Sequence, residues 1–77
     1  MFIFSQNKKE IIKVTKVCVS KNFGGKKEEK FCIVGTSLEQ SISASILGKY
    51  PTEEAALIEL EHIFIAMQNG ERVYAIR

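Results

Sequence analysis

The chain has 77 residues and one proline, and what stands on either side of Pro51 divides its secondary structure. Proline disfavours helical geometry at the residue before it, so Tyr50 closes an extended segment. Thr52 follows as an N-cap, and Glu53 and Glu54 fall in a first turn where the helix dipole favours negative charge. Asn69-Gly70 supplies a C-terminal stop. The pattern predicts one helix over about residues 52–69, preceded by β-structure.

At roughly 100° per residue, Ala56, Leu57, Leu60, Ile63, Phe64 and Met67 form one broad apolar stripe, expected to pack on a sheet. Ile58 and Ile65, a heptad apart, fall on the opposite side with Glu61 and His62 beside them. Two isoleucines there are more apolar surface than a monomer needs, which makes Ile58, His62 and Ile65 the candidate oligomer interface. Ordinary exposed apolar residues are the alternative reading.

Upstream, Phe2 to Phe4 reads as a short strand ended by the turn-forming Ser5-Gln6-Asn7. Glu10 to Val19 reads as one longer strand. Ile12, Val14 and Cys18 lie on one face, and Ile11, Val17 and Val19 on the other, as in a central strand or one covered by another subunit. Lys21 to Glu29 is a hairpin loop in which Gly24 and Gly25 offer positive φ. Lys30 to Gly35 returns as a strand, and Thr36 to Gln40 is a polar loop. Ile42 to Leu47 alternates cleanly, with Ile42, Ala44 and Ile46 expected to be buried and Ser41, Ser43 and Ser45 facing outward. Arg72 to Ile76 closes the chain as a last strand, Tyr74 and Ile76 on one face.

Short connections without a crossover helix imply an α+β fold. The expected form is a single domain over 1–77: an antiparallel sheet of four or five strands, mostly a meander, with one helix packed on a face and a C-terminal strand. A domain of this size buries only about 60% of its unfolded surface, and oligomerisation is the expected support.

Two cysteines, Cys18 and Cys32, are too few for a disulfide framework. With the single histidine they do not complete a zinc set unless carboxylates or a second subunit help, so no metal or cofactor is expected. A catalytic Cys–His pair would need His62 near a thiol; small core thiols are the simpler reading. The acidic helix residues Glu53, Glu54, Glu59 and Glu61 read as a solvated face. The first residues lack the pattern of a signal peptide, and no apolar run reaches membrane-spanning length, so a cytoplasmic protein with reduced thiols is expected.

Charge is divided along the chain: residues 1–30 hold eight lysines and three glutamates, residues 31–77 three basic and six acidic residues. The basic half suggests an anionic partner, with solvated strand edges as the alternative. Within it, Gly24-Gly25-Lys26-Lys27 lacks the spacing of a P-loop but suits a basic loop closing over an anion. Phe23, Gly24, Gly25, Lys26 and Lys27 are therefore the candidate ligand-binding residues. Phe23 is placed either to stack on a base or partner, or to fold back under the hairpin.

The opening Met1-Phe2-Ile3-Phe4-Ser5-Gln6-Asn7-Lys8 and the later Leu47-Gly48-Lys49-Tyr50-Pro51-Thr52-Glu53-Glu54-Ala55-Ala56-Leu57-Ile58-Glu59-Leu60 resemble a family of short proteins from phages and prophages of Gram-positive bacteria. Members start Met-aromatic-Ile-x-Ser-Gln and later carry Leu-Gly-x-Tyr before a Thr/Ser-Glu-Ala helix. The likeness covers both ends, leaves roughly 20–40 unmatched, and departs from the family at Pro51. It implies a mobile-element accessory protein acting by binding, with no catalytic residue to carry over. The expectation is a non-enzymatic homo-oligomer that binds a host factor or sequesters a nucleotide-like anion. The alternative is a nucleic-acid-associated protein using the basic N-terminal half.

Overall fold

A computed structural model describes residues 1–37 and 44–77. The fold is α+β, as expected. Its six strands are β1 (Phe2–Phe4), β2 (Ile11–Lys13), β3 (Lys16–Lys21), β4 (Phe31–Thr36), β5 (Ser45–Tyr50) and β6 (Val73–Ala75). One helix, α1 (Glu53–Gln68), lies between β5 and β6. The strands divide into two three-stranded sheets, ordered β2-β1-β6 and β3-β4-β5. All pairings are antiparallel except β1 with β6, which is parallel.

The run expected as one strand over residues 10–19 is broken at Val14-Thr15 and serves both sheets. Val14 turns inward and is buried, its N–H donating to the Met1 carbonyl at 3.1 Å. The Thr15 N–H donates to the Thr36 carbonyl at 2.7 Å and starts the second sheet. This explains why the run is apolar on both faces: β2 and β3 turn different sides to the common core. Neither is central, since each is the outer strand of its sheet.

β5 also departs from the expected face pattern. Part of the predicted strand, residues 42–43, and the serines at 41 and 43 lie outside the described residues. Within β5, Ile33 pairs with Gly48 but Val34 pairs with Ile46, so Leu47 is an extra residue in the ladder. The bulge changes which parity points inward. Leu47, Gly48 and Tyr50 are buried while Ala44 and Ile46, expected inside, are exposed. Gly48 is required there, because a Cβ would lie 2.8 Å from the Tyr50 hydroxyl and 3.0 Å from Ile76.

The helix begins and ends as its residues dictate. Thr52 caps it, its hydroxyl accepting from the Ala55 N–H at 3.1 Å. At the other end Gly70 adopts φ +73°, and the Gly70 and Glu71 N–H groups return to the carbonyls of Met67 and Ala66. That is a Schellman closure, which a left-handed glycine makes easy. The core is formed by Ile3, Val14, Ile33, Leu47, Tyr50, Ala56, Ile63 and Ile76. Among the described residues, no helix is long and apolar enough to cross a membrane.

The helix is rotated from its expected placement by roughly the step of one residue. Its buried residues are Ala56, Glu59, Ile63 and Ala66. Leu57, Phe64 and Met67, expected against the sheet, are exposed, and Leu60 is half-buried. The rotation brings a carboxylate inside, so Glu59, expected in solvent, is only 4% exposed.

Candidate functional site

Three surfaces carry chemistry beyond packing. The first is a cleft of about 620 Å³ between the Asn22–Glu29 loop and β5. Its walls include Lys26, Lys27 and Lys49, with Gln6 and Asn7 from the turn after β1 and the acids Glu28 and Glu29. The loop is closed by the Asn22 Nδ2 donating to the Glu29 carbonyl at 2.7 Å and by the Asn22 N–H donating to Lys30 at 2.8 Å. Only Gly24 uses positive φ there. Gly25 is needed for space, since a Cβ on it would run into the Glu29 carbonyl oxygen and Asn22.

The floor of this cleft is stitched by Gln6. Its backbone N–H donates to the Leu47 carbonyl at 2.7 Å, and its Oε1 accepts from the Lys49 N–H at 2.8 Å. Its Nε2 donates to the Arg77 carbonyl at 3.2 Å. The cleft therefore joins segments far apart in sequence. Lys49 Nζ lies 3.8 Å from Glu29, an exposed pairing of small strength that an incoming anion can exchange.

Of the residues predicted for ligand binding, Lys26 and Lys27 line the cleft. Phe23 and Gly24 stand clear of it, and Phe23 is 88% exposed, so it does not fold back beneath the hairpin. Sequence reasoning missed Gln6, Asn7 and Lys49. Nothing in local spacing links them to the loop; only the strand pairing does.

The second surface is the outer face of the β2-β1-β6 sheet. Cross-strand partners share a face, so Phe2, Phe4, Ile11, Lys13, Val73 and Ala75 stand together there. Phe2, Ile11 and Val73 are exposed, and Lys8 places its Nζ 5.3 Å from the Phe4 ring centroid.

The third is α1 itself, with Leu57, Phe64 and Met67 on one exposed flank and Ile58 and Ile65 on another. His62, half-buried, has Nδ1 3.2 Å from Glu59 Oε1. The Glu59 Oε2 accepts from the Tyr74 hydroxyl and from the Arg77 N–H, both at 2.9 Å. Both oxygens of this buried carboxylate thus have partners.

The thiols are neighbours across a diagonal. Cys18 pairs with Val34 and Cys32 with Ser20, so they share a face two residues apart in register. Burial chiefly pushes the Cys32 thiol up, with the nearby Cys18 adding to it and Lys49 opposing. A raised pKa makes a poor nucleophile at neutral pH. Among the described residues, no three His, Cys, Asp or Glu side chains converge to hold a metal ion. Comparison with family models, with curated proteins and with solved structures finds no match to this chain.

Proposed function

We propose that this protein acts by binding rather than by catalysis, and that its ligand is a small phosphate-bearing anion of nucleotide type. The observation that carries this reading is the convergence of Lys26, Lys27 and Lys49 on one cleft from two separate elements. Ammonium groups on two walls suit the spread charge of a phosphate or diphosphate, and the Asn7 and Gln6 amides give the floor polar character. Glu28 and Glu29 also line the cleft and reduce the positive field, so a ligand must compete with Glu29 for Lys49. The likeness of residues 1–8 and 47–60 to short phage and prophage proteins supports an accessory role in a bacterial host. Sequestration of a nucleotide signal, or capture of a host factor, is the corresponding action.

The test is isothermal titration of the protein with a nucleoside triphosphate and with inorganic pyrophosphate. Binding that is lost in Lys26→Ala/Lys27→Ala/Lys49→Ala and kept in Lys13→Ala supports the reading. Absence of binding at millimolar ligand, or equal binding by both variants, overturns it.

A second reading is single-stranded nucleic acid on the outer sheet face. Phe2 and Phe4 are two residues apart on the central strand, with Lys13 opposite Phe2 and Lys8 over Phe4. Stacking surface flanked by ammonium groups is what a sequence-tolerant binder of single strands needs. Binding of an oligothymidylate that weakens with added salt and is lost in Phe2→Ser/Lys13→Ala favours it over the cleft.

A further inference from the structure

The helix carries two apolar stripes, and the fold covers only one. Ala56, Ile63 and Ala66, with Glu59 among them, face the core. Leu57, Leu60, Phe64 and Met67 follow a 3-4-3 spacing, the seam by which one helix packs on another. Leu57 is 48% exposed, Phe64 57% and Met67 45%. With Thr15, Lys16 and Val17 of the β3 side, this seam walls a groove of about 700 Å³.

We propose that this groove is the interface between two copies of the chain, the α1 helices lying antiparallel across a two-fold axis. Two observations point to a second copy rather than a foreign partner. The 3-4-3 seam calls for a helical occupant, and α1, the one helix among the described residues, presents just such a seam. The groove is also self-complementary in charge: Glu61 lines it from the helix and Lys16 from the opposite wall. A second copy seated in the groove carries its own Glu61 in beside Lys16, and the reverse contact follows by symmetry. The helix has no lysine or arginine between residues 53 and 68 to neutralise its partner's acids, which leaves Lys16 to do so.

This surface differs from the Ile58–Ile65 flank, and the two give opposite results in one experiment. Sedimentation velocity over a concentration series, with circular dichroism to confirm folding, is the measurement. The wild type is expected to dimerise. Phe64→Glu is expected to weaken self-association about 30-fold or more while remaining folded. Ile58→Glu/Ile65→Glu is expected to leave it unchanged. Lys16→Glu weakens it, and Lys16→Glu/Glu61→Lys restores it by returning opposite charges to both contacts. A wild type that is monomeric at about 100 µM overturns the proposal. So does a dimer that survives Phe64→Glu, dissociates in the isoleucine variant, or is not restored by the charge swap.

Discussion

Glu59 accepts the Tyr74 hydroxyl at 2.9 Å, tying the middle of α1 to the last strand. The same carboxylate oxygen accepts the Arg77 N–H, and the Tyr50 hydroxyl donates to the Arg77 carbonyl at 3.3 Å. The end of the chain is thus held from both sides by buried or half-buried side chains. Hydrogen bonds to an ionised acceptor contribute more than neutral ones, and unpaired partners are costly.

Glu59→Gln is expected to lower unfolding free energy by about 1–3 kcal/mol, with Glu59→Leu at or beyond the upper end because it strands the Tyr74 hydroxyl. Urea denaturation checks it. A loss typical of an exposed helix glutamate, within about 0.5 kcal/mol, would show that the carboxylate is not a structural hub.

Alkali should unfold the protein through its tyrosines. Burial first, and then the hydrogen bond and charge of Glu59, push the Tyr74 hydroxyl up to about 12. Tyr50 is raised further, again chiefly by burial. The folded chain therefore holds these protons more tightly than the unfolded chain, whose hydroxyls ionise near about 10. The stabilisation is complete below pH 10 and disappears as pH rises through 12. Urea midpoints should fall across that window, and less steeply in Tyr74→Phe; equal slopes in the two proteins would remove Tyr74 as the cause.

Gly48→Ala places a methyl group against the Tyr50 hydroxyl and Ile76, at distances of 2.8 and 3.0 Å before relaxation. Overpacking of this kind costs about 1–3 kcal/mol. Gly24→Ala meets open space but a φ of +83°, so its cost is backbone strain of about 1 kcal/mol. Thermal melts of the pair separate crowding from conformation.

Cys18 and Cys32 should react at different rates with a thiol reagent at neutral pH. Cys18 is half-buried and Cys32 buried with a raised pKa, so one thiol per chain is expected to label before the other. Cys18→Ala should remove the fast phase. Uniform fast labelling would contradict the burial of Cys32.

The elements with local signals were legible in advance. Pro51, Thr52, Asn69 and Gly70 state the helix ends in their own backbone chemistry, and the strand types follow from β-branched content. What escaped depends on contacts between distant residues. The bulge at Leu47 inverted the buried face of β5, and it answers to the pairing with Ile33 and Val34 rather than to alternation. The face of α1 was misjudged because hydrophobicity ranks Leu57 and Phe64 above Glu59. Glu59 is brought inside by Tyr74 and the Arg77 backbone, whose positions no helical period reveals. Lys26 and Lys27 were visible as a basic loop, but Lys49 and Gln6 join them only through β5.

The parallel pairing of β1 with β6 joins strands that most of the described chain separates, whereas the β1–β2 hairpin closes locally. Folding can therefore form the hairpin before β6 docks, and until then one edge of β1 is unpaired, with Phe2 and Phe4 close beside it. Open strand edges of that kind invite pairing with other chains. Lys8, over Phe4, and Lys13, opposite Phe2, set like charges beside that edge, which is how natural sheets discourage such contacts.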